Sequence, residues 1–173
     1  MKNCLPAFFA LTMLGSCGDS KESKTQILTN NEPTTSADTP VSRPAPIIEI
    51  TKLVGRPLKE VEKLLGKPNE LKKPDPREVP CEDNRCNEAL FQDGKYEVVF
   101  IHGKADWITI NRVSNSLLDE GVITLLGLPE SSPAFNNPSN VLRWENVAGI
   151  KEISFFSDGS GGIEYICVKA QTD

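Results

Sequence analysis

Val61-Glu62-Lys63-Leu64-Leu65-Gly66-Lys67-Pro68 is answered 61 residues later by Val122-Ile123-Thr124-Leu125-Leu126-Gly127-Leu128-Pro129, with identity at five of the eight positions. Leu58, Val61 and Leu65 around the first stretch, and Leu118, Val122 and Leu125 around the second, recur at three- or four-residue spacing and so line one face of a helix. Gly66 and Gly127 stand where a left-handed helix terminus favours glycine, and Pro68 and Pro129 bar continuation. Upstream, Pro57 suits a first helical position, and Ser116 with Asp119 approximates a capping box. The reading is two helices of about ten residues, too short to persist in water without packing against something.

Working outward, each helix is followed by runs rich in β-formers. These are Ala89 to Gln92, Tyr96 to Ile101 and Trp107 to Val113 in the first half, and Val141 to Glu145, Ile150 to Phe156 and Ile163 to Lys169 in the second. Asp93-Gly94, His102-Gly103 and Asp158-Gly159 mark turns between or beside them. The expectation is an α+β fold of two tandem repeats, 47–113 and 114–173, each a helix followed by a three-stranded antiparallel meander. Helices would cover one face of the sheet and leave the other open to water or to a partner.

The N-terminus has a different character. Lys2, an apolar run from Leu5 to Leu14, and Leu14-Gly15-Ser16-Cys17 read as an export signal over residues 1–16. Roughly ten apolar residues are too few to span a bilayer. The stretch resembles the bacterial lipoprotein signal, whose last four residues form a lipobox. By that resemblance Cys17 becomes the diacylated first residue of the mature chain, and Gly18 after it, where aspartate retains such proteins in the inner membrane, favours the outer membrane. An ordinary secretory signal with Cys17 incidental is the alternative. From Gly18 to Pro46 Ser, Thr, Asn and Pro dominate and aromatics are absent, so residues 17–46 read as a lipidated cysteine and a disordered tether reaching roughly 30 Å.

An exported lipoprotein with a Leu-Leu-Gly-x-Pro helix end ahead of a three-stranded meander resembles the small lipoprotein of the bacterial outer-membrane β-barrel assembly machinery, the BamE type. The tandem form resembles the β-lactamase inhibitory protein. Both families bind proteins and catalyse nothing, and the resemblance transfers no contact residue. The charged, proline-rich loop from Asn69 to Asn87, with Cys81 and Cys86 in it, departs from both patterns.

The chain carries 19 basic and 24 acidic residues; removing Lys2 with the signal leaves 18 against 24, a net charge of −6. No run of Lys and Arg exceeds Lys72-Lys73, which excludes nucleic acid as a partner and leaves the lipid as the means of membrane attachment. Four cysteines follow the signal, Cys17, Cys81, Cys86 and Cys167. In an oxidising compartment Cys81 and Cys86 are the nearest pair and read as a structural disulfide, leaving Cys167 as a buried residue in a strand. A redox dithiol favours Cys-x-x-Cys, and zinc wants four ligands where the single His102 sits at a turn. Neither a cofactor nor a metal is expected.

No Gly-x-Ser-x-Gly, His-Glu-x-x-His or phosphate-cradling loop is present, and Glu60 and Glu62 read as a solvated helix face. The candidate binding residues are Trp107 and Trp144, each in a strand with polar neighbours. The competing reading for either is the core. The function expected is a non-catalytic, lipid-anchored envelope protein that binds another envelope protein, in outer-membrane or envelope assembly. The alternatives are an inhibitor of a secreted or periplasmic hydrolase, and an enzyme or metal protein using the Cys81 loop.

Overall fold

The computed structural model describes residues 45–75, 79, 81, 86–113 and 117–170. Cys17, the signal, the tether up to residue 44, and Ser116 lie outside the described residues. Eight antiparallel strands make one sheet: β1 (Glu70–Lys72), β2 (Cys86–Phe91), β3 (Tyr96–Ile101), β4 (Lys104–Asn111), β5 (Phe135–Asn137), β6 (Val141–Val147), β7 (Ile150–Ser157) and β8 (Ile163–Ala170). Their order is β1-β2-β3-β4-β8-β7-β6-β5, so two four-stranded meanders meet at their last strands, β4 against β8.

This corrects the expected fold class. The protein is mostly β, one continuous eight-stranded sheet, and not two helix-plus-three-strand repeats of the α+β class. Two observations overturn the repeat. Each half contributes a fourth strand, β1 or β5, three residues long and at an edge. The second helix is also not an α-helix: Leu58–Leu65 forms α1, whereas Glu120–Leu126 forms a 3₁₀ helix.

Composition explains that difference. Glu-Gly-Val-Ile-Thr-Leu-Leu holds a glycine and three consecutive β-branched residues, all weak α-helix formers. Its Val122, Ile123, Leu125 and Leu126 are all buried, a wider apolar set than one α-helical stripe presents. Asp119 is the cap, accepting from the Gly121 N–H at 2.9 Å, and Thr124 Oγ1 donates to the Gly121 carbonyl at 2.8 Å. In α1, by contrast, Val61 and Leu65 are buried on one side and Glu60 pairs with Arg56 at 3.6 Å on the other. Gly66 ends α1 at φ 87°, and Gly127 ends the 3₁₀ helix at φ 70°, both positive values that glycine adopts readily, but only Gly127, with ψ 19°, is left-handed helical.

The main core lies on the helix side of the sheet. Ala89, Phe91, Val98, Phe100, Ile108, Ile110, Val168, Ile166, Ile153, Phe155, Leu142 and Trp144 pack there against Val61 and Leu65 of α1, the buried residues of the 3₁₀ helix, and Ile50 and Leu53. The chain enters on this side, where the Ile47 N–H donates to the Leu125 carbonyl at 2.8 Å and Ile47 and Ile48 pack on the core. The hairpins β3-β4 and β6-β7 close with two-residue turns, His102-Gly103 (φ 50° and 78°) and Ala148-Gly149 (φ 51° and 77°). Two consecutive positive φ values define a type I′ turn, whose twist matches that of the strands it joins.

Candidate functional site

The strand registers align the residues of the opposite face, which no helix covers among the described residues, into rows across the sheet. One row runs Lys72, Glu88, Val99, Trp107, Lys169, Glu152, Glu145. The next runs Glu70, Leu90, Glu97, Thr109, Cys167, Ser154, Arg143, Phe135. A third sets Asn111, Tyr165, Phe156, Val141 and Asn137 side by side. Opposite residues in an antiparallel pair share a face, so these rows follow from backbone pairing alone.

The middle row is floored by Thr109, Cys167 and Ser154, of which Ser154 and Cys167 are buried; Cys167, expected as the cysteine left over, is disulfide-bonded. Larger groups flank it. On one side Phe156 stacks on Tyr165 with centroids 4.5 Å apart. On the other, Lys169 Nζ stands 5.1 Å over the Trp107 ring and pairs with Glu152 Oε1 at 3.0 Å. Arg143 Nε donates to Ser154 Oγ at 3.2 Å and lies 3.9 Å from Glu152 Oε2, so Glu152 is shared by two cations. Burial, then the Glu164 carboxylate, raises the Tyr165 phenol above its ordinary value. The ring therefore stays a neutral donor through the physiological range.

A second apolar cluster covers the other end of this face. Val79, Cys86, Val99 and Ile101 pack together with Cys81 and Trp107. The Cys81–Cys86 disulfide is present, with Cα atoms 6.0 Å apart, and Lys73 Nζ donates to the Cys86 carbonyl at 3.0 Å. The bond holds the segment at Val79 and Cys81 over the apolar corner that Val99, Ile101 and Trp107 form.

The two tryptophans therefore part company. Trp144, a candidate binding residue by sequence, is 1% exposed and belongs to the helix-side core. It meets Phe155 edge-on at 5.5 Å, and its indole N–H donates to the Ser131 carbonyl at 2.8 Å. Its candidacy as a contact residue is withdrawn, because the polar neighbours that suggested it, Arg143 and Glu145, alternate to the opposite face. Trp107 does lie on the face that no helix covers among the described residues, half-buried.

Sequence reasoning missed Phe156, Tyr165, Lys169, Glu152 and Arg143 as one constellation, since residues far apart in the chain become neighbours only through the register. His102 occupies the β3-β4 turn. Among the described residues no group of three or more His, Cys, Asp or Glu side chains is arranged to hold a metal, and no helix is long and apolar enough to cross a membrane.

No family model matches the sequence, and neither does any curated protein. Among solved structures, the chain is similar to a cysteine-rich secretory protein from Staphylococcus aureus, at 11% identity and a TM-score of 0.45 over 74% of this chain. The chain spans 46% of that protein, less than half its length.

Proposed function

We propose that this chain is a non-catalytic, lipid-anchored protein of the bacterial envelope that binds another envelope protein through the helix-free face of its sheet. The observation that carries the reading is that face itself. Trp107, Phe156 and Tyr165 stand there beside Lys169, Glu152 and Arg143, with no helix over them among the described residues. Aromatic residues and arginine are enriched at protein-binding surfaces, and this face brings both together. The Leu14-Gly15-Ser16-Cys17 sequence supports attachment through Cys17.

Two experiments test the two halves of the reading. Labelled palmitate should enter the wild-type chain in cells and be lost with Cys17→Ala; equal labelling of both removes the anchor. A photoreactive residue placed at Trp107 in intact cells should capture a β-barrel protein or an assembly component of the envelope. Capture of a hydrolase in a stoichiometric complex would replace assembly with inhibition, and no capture from Trp107, Thr109 or Phe156 would remove the face as a binding surface.

A further inference from the structure

The outer edge of β1 is charge-complementary to itself. β1 ends the sheet, with β2 on one side and no strand on the other among the described residues. Its three residues are Glu70, Leu71 and Lys72. Leu71 lies opposite Ala89 on the helix side and is 55% exposed, while Glu70 and Lys72 lie on the helix-free side. Leu64 of α1, also exposed, is on the helix side as well. Pro68 and Pro74, which have no N–H to donate, limit any pairing at this edge to residues 69–73.

We propose that this edge pairs with the β1 edge of a second copy of the chain, antiparallel about a twofold axis through Leu71, joining two eight-stranded sheets into one. In that register Glu70 of each copy stands opposite Lys72 of the other, and the two Leu71 side chains face each other on the helix side. Lys72, already 3.4 Å from Glu88 Oε1, then sits between that carboxylate and Glu70 of the second copy, extending an alternating row across the junction.

The charges also exclude other registers. Moving the axis to residue 70 or 72 sets Glu70 against Glu70, or Lys72 against Lys72. A one-residue slip sets Leu71 opposite a charge and turns the helix side of one copy to the helix-free side of the other. Charged residues on an edge strand ordinarily discourage pairing. Here they discourage every register except one. The other edge lacks this property: Phe135, Asn136 and Asn137 of β5 carry no charge, and Asn136 Nδ2 is engaged with Glu120 Oε1 at 2.7 Å.

The test is sedimentation of the full chain in detergent, with mild oxidation of Leu71→Cys beside wild type and Asn136→Cys. In the paired state the Cβ atoms at position 71 are about 5 Å apart, so Leu71→Cys should be trapped as a covalent dimer while the two controls stay uncrosslinked. Wild type should show a monomer–dimer equilibrium, and Glu70→Lys should raise its Kd about tenfold or more. Mixing Glu70→Lys with Lys72→Glu should restore association, because the two edges are then complementary. A chain that stays monomeric at every concentration overturns the proposal, as does a dimer that Asn136→Cys traps and Leu71→Cys does not, or one indifferent to Glu70→Lys.

Discussion

Lys169 Nζ lies 5.1 Å above the indole of Trp107, on the neighbouring strand and directly opposite it in register. That pairing fixes the indole between an ammonium group and the apolar corner closed by the disulfide, and it makes Trp107 a different object from Trp144. Trp144→Ala should cost about 3–5 kcal/mol or prevent folding, whereas Trp107→Ala, which removes a half-buried ring from the open face, should cost about 1–2 kcal/mol. Denaturant unfolding of the two variants measures the contrast, and equal costs would remove the assignment of Trp107 to the open face.

The Cys81–Cys86 bond closes a loop of six residues, for which the chain-entropy relation gives about 2 kcal/mol of stabilisation. Cys81→Ser with Cys86→Ser should lower stability by that amount. With Trp144→Phe as background, Trp107 fluorescence should move to longer wavelength, because the segment at Val79 and Cys81 is no longer tied over the corner. An unchanged spectrum would show that Val79 stays in place without the bond.

Two turn positions should respond in opposite directions. Ala148 holds φ 51° in the two-residue turn between β6 and β7, a conformation that costs an L-residue about 1 kcal/mol and that asparagine tolerates better. Ala148→Asn is expected to raise the melting temperature by a few degrees. Gly127→Ala is expected to lower stability by about 1–3 kcal/mol, since φ is 70° there and an added Cβ comes within 3.2 Å of Glu49 Cγ and 3.3 Å of Glu49 Cα. Thermal unfolding checks both signs.

Titration should separate a loop carboxylate from a strand phenol. Asp158 Oδ1 accepts from the Ser160 N–H at 2.7 Å, the Ser160 hydroxyl at 2.8 Å and the Gly162 N–H at 3.0 Å, and these bonds, led by the Ser160 N–H, hold its pKa below the ordinary carboxylate value. A depressed carboxyl contributes stability that is present above its unfolded pKa and is lost as pH falls through its folded one. The order of the β7-β8 loop should therefore fade only in acid below the usual Asp range, which amide exchange across Gly159 to Gly162 can follow. Tyr165 behaves oppositely in sign. Its raised pKa leaves stability intact up to about pH 10, the unfolded value, and reduces it above that as the unfolded phenol ionises first. Ultraviolet difference titration should find Tyr165 ionising later than a free phenol.

Much of the secondary structure was legible because it obeys local rules. The alternation and apolar runs from Tyr96 to Ile101 and from Ile150 to Phe156 fall within β3 and β7, and Gly66 with Pro68 marks the end of α1. What misled was the identical Leu-Leu-Gly-x-Pro stop on two unlike elements. Gly127 ends a 3₁₀ helix whose β-branched centre, Val122-Ile123-Thr124, outweighed the spacing of its leucines. The edge strands Glu70–Lys72 and Phe135–Asn137 were invisible because three residues are too few to show a period, and only pairing with β2 and β6 makes them strands. The open face was legible in Trp107 and in the disulfide but not in Phe156, Tyr165 or Glu152. Which residues share a row depends on a register between β4 and β8 that no local rule supplies.

That register also sets a timetable. Within each meander every strand pairs with one made just before it, so β1 to β4 can form as the chain emerges, leaving Trp107 to Asn111 of β4 with one side unpaired. The strand that satisfies that side, β8, is the last of the eight to be made. The middle of the sheet, with Ile108 against Val168 and Ile110 against Ile166, is the part that must wait. During synthesis the half-finished molecule therefore exposes a vacant edge at what will become its centre, and a chain released before Ile163 has been made is left with an aggregation-prone seam rather than a smaller stable domain.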